Sequence, residues 1–445
     1  MSAEISHRER WQSVPTMEPQ VTHPFRSQHA RSRRSTAGRT RRFPARAASR
    51  LTSLAVLCLL AAAGTPHGAV AGPVSVNPGL DLEVRQDQLP NTNSSDEGWI
   101  ARLSPRLALA RMGVGNSLEI MGVRSFDSNQ RVSGPVWVGD EAAMRFIASP
   151  APHSYLSANA GYVSSRDPLE NKAAIPVTFS ESAISTGGAN LELWRLETRY
   201  DVRSHTYESP GHLDGLSQNW EATAIPFRRP DTQGTLSARG RDVRIDHGPV
   251  LNTTALTAGM RRTHFAGLSS EIEVGAAATR DPVHTTNSWD LAVVAGATAE
   301  RGALRQPFDL RFRFMREVAT TGFAEASVPA RRRRFAVRWE QDLGAEGGRF
   351  HDATLSKYLT FEARDTLMSA YVLTVEGSFG QTRSFFQNSS WLRTNRVWAS
   401  LSRSVLPWLW AGLDYSFVNQ DGDPSAPSWE FQRNRVGLRL TMGAQ

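Results

Sequence analysis

Cysteine is almost absent from this 445-residue chain, and the one copy, Cys58, lies near the N-terminus. The remainder can build neither a disulfide framework nor a thiolate metal site. Lysine is nearly as scarce: Lys172 and Lys357 are the only two, so arginine carries almost all of the positive charge. No long uninterrupted apolar run occurs and mean hydropathy is −0.38, which excludes a bundle of membrane-spanning helices. It does not exclude a membrane barrel, whose strands alternate apolar and polar residues and average out as hydrophilic. Chemical motifs are missing as well. His153, His205, His212, His247, His264, His284 and His351 form no H-E-x-x-H, paired-His or Cys/His spacing, and nucleophile-elbow and Walker-type glycine patterns do not occur. No catalytic constellation, cofactor site or metal site is expected, and the chain is read as a non-enzyme.

The formal charge of +8 is local. Residues 1–50 hold eleven Arg and three Glu, leaving 40 basic and 40 acidic residues of the total 51 and 43 for everything beyond. The basic balance therefore belongs to the leader and gives no reason to expect a nucleic-acid partner. Residues 1–40 lack periodicity, as a disordered leader or an over-called start would. Arg41, Arg42, Arg46 and Arg50 precede LTSLAVLCLLAAA at 51–63, and Ala69-Val70-Ala71 follows. A positive region, a short apolar core and a small-residue cleavage site predict a signal peptide over 41–71. The exported body is then 72–445.

From residue 77 onward, segments of about 9–13 residues alternate in hydrophobicity between turn residues, as spanning strands do. Trp194, Leu196, Thr198, Tyr200 and Val202 fall on one parity, with Arg195, Glu197, Arg199, Asp201, Arg203 and His205 on the other. A helix would scatter these charges, whereas a strand places them all on one face. Phe308, Leu310, Phe312 and Phe314 alternate with Asp309, Arg311 and Arg313, and Phe335, Val337 and Trp339 with Arg334, Arg338 and Glu340. The segments 115–126 and 353–363 alternate poorly.

A soluble sandwich would also alternate. The number of strands, the charged polar parity and the aromatic residues beside the apolar parity favour a barrel with a wet lumen. The expected fold is an all-β transmembrane antiparallel up-and-down barrel of about sixteen to eighteen strands. Short links such as 404–407 are expected on the periplasmic side, and long polar ones such as 208–217 and 419–430 on the outer side.

The candidate lumen-lining residues are Arg195, Arg199, Arg203, Arg311, Arg313, Arg334, Arg338, Glu197 and Asp201. Two readings stand side by side. The arginines form a track for anionic or hydroxyl-rich cargo, since a guanidinium offers several fixed donors, or they pair with Glu197, Asp201, Asp309 and Glu340 and stiffen the wall.

The C-terminal run Arg396-Val397-Trp398-Ala399-Ser400-Leu401-Ser402-Arg403 leads into Leu409-Trp410-Ala411-Gly412-Leu413-Asp414-Tyr415-Ser416-Phe417 and, after a loop, Arg433-Asn434-Arg435-Val436-Gly437-Leu438-Arg439-Leu440. It resembles the closing hairpins of outer-membrane β-barrel porins associated with exopolysaccharide systems. Trp99 to Phe126, with Leu103-Ser104-Pro105-Arg106-Leu107, resembles their early strands. The resemblance implies an outer-membrane pore for polysaccharide export, with lipid around it and a periplasmic polysaccharide-export protein as partner. A barrel enzyme and a structural barrel plugged by its own loops are the alternatives. One departure is the last outward position, where Met442 stands in place of the usual aromatic residue.

Overall fold

The computed structural model describes residues 74–443 except 89–97, 114–115, 130–135, 150–153, 166–178, 191–193, 208–212, 227–230, 281–286, 304–306, 330–332, 346–349, 368–369, 387–389 and 422–430. The leader and signal-peptide expectations lie outside the described residues.

Twenty strands follow one another: β1 (Val74–Gln88), β2 (Gly98–Gly113), β3 (Asn116–Asn129), β4 (Val136–Ala148), β5 (Ser154–Ser165), β6 (Phe179–Asn190), β7 (Arg195–Thr206), β8 (Gly215–Ile225), β9 (Thr232–Ile245), β10 (Leu251–Phe265), β11 (Leu268–Arg280), β12 (Asn287–Ala299), β13 (Asp309–Arg316), β14 (Thr320–Pro329), β15 (Arg333–Gly344), β16 (Thr354–Leu367), β17 (Tyr371–Ser384), β18 (Leu392–Leu406), β19 (Leu409–Asp421) and β20 (Phe431–Gly443). Each pairs antiparallel with the next, and β1 pairs with β20 from Gly79↔Gly443 to Gln88↔Asn434, so the sheet closes on itself with no edge. Closure leaves no strand with a free edge, which is what a spanning sheet requires.

The count exceeds the expected sixteen to eighteen, for a physical reason. In β6 the sequence is FSESAISTGGAN, whose small residues barely alternate. The weakly alternating 115–126 and 353–363 fall within β3 and β16, where pairing to both neighbours supplies what periodicity does not.

Burial is inverted relative to a soluble protein. Leu256, Leu291, Leu438 and Trp289 are 61–71% exposed, whereas Arg85, Arg102, Glu273 and Arg239 are 1–5% exposed. The register carries one parity consistently around the ring. Leu236 is followed on the outside by Ala258, Val274, Val293 and then Arg316 or Phe314. Trp339, Leu359 and Phe379 continue the belt, and Leu413, Leu438 and Val84 complete it. Trp194 and Trp408 at one rim and Trp99 and Trp289 at the other are exposed, as ring systems at both membrane–water boundaries would be.

Most links from even to odd strands are short, such as 266–267 and 407–408, and share an end with both termini; most of the longer links lie at the opposite end, with 300–308 and 317–319 as exceptions. The segment 404–407 closes a short link, and 208–217 and 419–430 span long ones, as expected.

The wall bends sharply at β10 and β11. A Cβ on Gly259 would sit 2.0 Å from the Ile272 carbonyl oxygen, and one on Gly275 would sit 1.9 Å from that of Leu256. Both glycines face inward, where corner-turning crowds neighbouring backbones. Gly275→Val should therefore cost about 1–3 kcal/mol or more, read as loss of the compact, heat-modifiable band on unheated gels. An unchanged band would show that the corner tolerates a side chain.

Candidate functional site: the charged interior

The inward faces of β7 to β15 carry ion pairs, and their sequence separations reveal the lumen's shape. Arg195 Nη2 lies 2.8 Å from Glu197 Oε1, and Arg203 Nη2 lies 3.4 Å from Asp201 Oδ2, both along β7. Arg311 donates to Glu325 at 2.5 Å, and Arg334 meets Glu362 at 3.3 Å, each across one ladder. Arg338 reaches Glu340 at 3.3 Å and Glu325 at 3.6 Å, with its guanidinium 4.5 Å over the Phe323 ring. Among the described residues, Arg199 alone of the seven arginines has no ion pair. Asp309 has a different role from the one considered in sequence: it accepts the backbone N–H of Arg301 at 2.6 Å.

Other pairings cross the interior. Arg313 of β13 donates to both carboxylate oxygens of Glu221 on β8, at 2.7 and 3.2 Å, and through Nε to Glu271 at 2.7 Å. Arg203 of β7 reaches Asp342 of β15 at 3.3 Å, and Arg241 of β9 approaches the same carboxylate at 3.9 Å. Eight interstrand spacings separate β7 from β15, about 38 Å of wall at the usual spacing. Side chains cannot bridge that as a diameter. The wall therefore folds back, and the arc β8–β15 forms a narrow lobe.

Small inward residues let the lobe fill. Ser237, Thr253, Ala255, Thr257, Ala277 and Ala292 are each buried to 2% or less, and the three alanines form one apolar cluster. A wall of about eight strands has an interior that side chains alone can occupy. Charges in this dry space are fully engaged. Arg239 donates to Glu221 at 2.9 Å and to the Thr257 hydroxyl at 2.8 Å, and it makes a short contact with Glu273. Glu273 also accepts from Thr257 at 2.8 Å and Ser237 at 3.1 Å. Charge-assisted bonds of this kind are the strong ones. A second buried set joins Arg85 and Arg102 to Asp127, at 3.0 and 2.9 Å.

At the long-link end an apolar cluster crosses the interior. Tyr207, Val243, Ile245 and Leu251 come from the β7–β10 side, and Leu343, Ala345, Phe350 and Ala353 from the β15–β16 side. The β9–β10 turn, with His247 at φ 61°, lies against the β15–β16 connection. A Cβ on Gly248 would meet the His351 carbonyl oxygen at 2.0 Å. Asp214, at the foot of this cluster, accepts the Tyr207 N–H at 3.0 Å. Burial pushes its carboxyl upward, the Tyr207 bond opposes that, and Asp246 adds to it.

Interior exposure is graded along the axis. Near the long links, Arg435, Val418, Gln420 and Thr382 are buried, whereas Asp81, Arg106, Arg195 and Glu362, nearer the termini, are half-buried and Arg364 is exposed. Sequence reasoning missed Arg239, Glu221, Arg241, Asp342 and the Arg85–Asp127 set. Glu271 and Glu273 stand on the polar parity of β11, but nothing in the local pattern points to their partners.

One His–Ser contact bears on the enzyme alternative: His264 Nε2 and Ser270 Oγ are 2.8 Å apart on the exposed face near the termini-side rim. Among the described residues no carboxylate touches that imidazole, so the orienting third group of a triad is missing.

No family model matches the chain, and no curated protein matches it. Neither comparison supports the resemblance to exopolysaccharide-associated porins. Among solved structures, a mutant of the ferric enterobactin receptor PfeA of Pseudomonas aeruginosa is similar at TM-score 0.41 and 8% identity, over 84% of this chain and 81% of that one. OpdO of P. aeruginosa gives 0.37 and 11%, over 84% and 98%. A BenF-like porin of Pseudomonas fluorescens Pf-5 gives 0.36 and 10%, over 83% and 99%. Similarity this low says nothing about what the chain carries.

Proposed function

We propose that this chain is a bacterial outer-membrane pore that passes hydrophilic solute. One observation carries the reading: an edge-free ring of twenty antiparallel strands turns an apolar belt outward and a charged, hydroxyl-bearing face inward. Lipid on the outside and water or solute on the inside suit those two faces.

The finer proposal is export of a polysaccharide chain with a periplasmic partner docked at the termini-side rim. It is supported by the C-terminal hairpin residues and by the balance of the interior. Six of the seven candidate arginines are engaged by carboxylates. Such an interior offers fixed donors and acceptors without a large field of one sign, which suits neutral, hydroxyl-rich cargo more than a small ion. Of the nine candidate residues, the seven other than buried Asp201 and the cross-interior Arg313 are proposed as the lining on which that cargo slides.

Planar bilayers holding the purified chain test the pore. Discrete conductance steps with weak anion–cation preference are expected, because the interior charges offset one another. A folded, heat-modifiable barrel that never conducts would overturn the reading. For the cargo, a deletion strain should lose surface polysaccharide, and unchanged secretion would sink the export version.

A further inference from the structure

We propose that the outward face of β16 to β18, at its long-link end, is a seat for one membrane lipid whose phosphorylated headgroup is held by Lys357 and Arg383. The inference goes beyond the pore reading and does not depend on what the lumen carries.

The register sets the two cations at headgroup depth. On the outward parity, Gln341, Lys357, Gln381 and Arg393 form one polar row across β15 to β18. Arg383 stands one outward position nearer the long links, opposite Leu355. One outward position toward the termini, the row becomes Leu359 and Phe379, which are 42% and 46% exposed. Next comes Phe361, whose ring lies over Gly377: a Cβ there would meet it at 2.2 Å. The Phe361 and Phe379 rings stack with centroids 6.2 Å apart. Apolar surface thus gives way to cations within a few residues, as at a membrane–water boundary. The stacked rings form a floor along which an acyl chain can lie.

The cations have no anion of their own. Lys357 Nζ is 5.0 Å, and the Arg383 guanidinium carbon 4.7 Å, from the centre of the Trp391 ring, so one indole holds both. The ring attracts each cation but does not cancel their mutual repulsion. Among the described residues no carboxylate lies within ion-pair distance of either; Arg393, in the same row, stands opposite Asp421. Other outward arginines at the rims are neutralised: Arg124 by Asp140 at 2.8 Å, Arg333 by Asp365 at 3.2 Å, and Arg244 by Asp242. A phosphate supplies the missing charge, with oxygens that a guanidinium engages in a fork and an ammonium as a point charge. A free phosphate would gain only that attraction. A lipid adds chain contact with Leu359, Phe361 and Phe379, and its phosphate arrives already at this depth.

The full chain in mild detergent is titrated with diphosphorylated lipid A and with the same lipid stripped of its phosphates, and bound lipid is counted by native mass spectrometry. The wild-type barrel should hold the phosphorylated form about tenfold more tightly. Lys357→Gln combined with Arg383→Gln should abolish that preference, whereas Arg333→Gln, at the opposite rim, should keep it. Equal binding of the two lipids by the wild-type barrel overturns the proposal, and this comparison needs no variant to fold. A heat-modifiable double variant that retains the preference overturns it equally. Inorganic phosphate that displaces the lipid at equal concentration would show a plain anion site and overturn the lipid assignment. Conductance is measured separately, so the seat can fail while the pore stands.

Discussion

Arg239→Met is expected to lower the barrel's stability in lipid vesicles by about 3–5 kcal/mol, seen as an earlier urea-unfolding transition. The size follows from what the side chain holds. Its guanidinium reaches Glu221, Thr257 and Glu273 in a space where Arg239 and Glu273 are almost wholly shielded from water. Methionine fills much of the volume but leaves the Glu273 carboxylate facing Thr257 and Ser237 without a cation. The added change Glu273→Leu should recover most of the loss, since a buried pair replaced by apolar groups of similar volume is often neutral or stabilising. A single variant as stable as wild type would mean that the lobe is wet and the network dispensable.

Leu256→Arg should be the second large effect, costing about 2–4 kcal/mol in a bilayer. Leu256 is 62% exposed and lies in the outward row with Ala238 and Ala276. In water such an exposed leucine could become arginine with little change or improved solubility. Only a hydrocarbon neighbour makes the charge expensive, so the sign of the effect reports what surrounds the belt. Asn252→Arg, at the loop-side end of the same outward row, should cost about 0–1 kcal/mol. The yield of folded barrel in vesicles, compared across the two variants, reads the difference. Equal yields would count against a membrane-spanning belt.

Much of the architecture was legible because a strand's period is two and leaves a mark in every segment. Trp194 to Val202 announced an outward row, and Arg195 to His205 the opposite face. Strand number was less legible, since β6 is built from residues too small to alternate. The interior was the least legible part. Arg313 and Glu221 lie 92 positions apart and on strands that are not neighbours, so no local pattern connects them. Their meeting depends on how tightly the wall turns at Gly259 and Gly275, a property of two backbones crowding each other. The readings of the arginines as track or as wall-stiffening pairs carried no information on the lumen's cross-section. The folded-back lobe places some pairs within a strand, some across a ladder and others across the interior.

The seam between β1 and β20 has a consequence for the order in which the molecule assembles. Every other ladder joins consecutive strands and can form locally as a hairpin, whereas this one joins the two ends of the barrel. Its loop-closure entropy is met only after the rest of the chain is gathered, so it belongs at the end of folding. Until then Val74–Gln88 and Phe431–Gly443 are bare edges whose N–H and C=O groups cannot rest in hydrocarbon. The nascent sheet must therefore be chaperoned, or held at the membrane surface, until its first and last strands find each other.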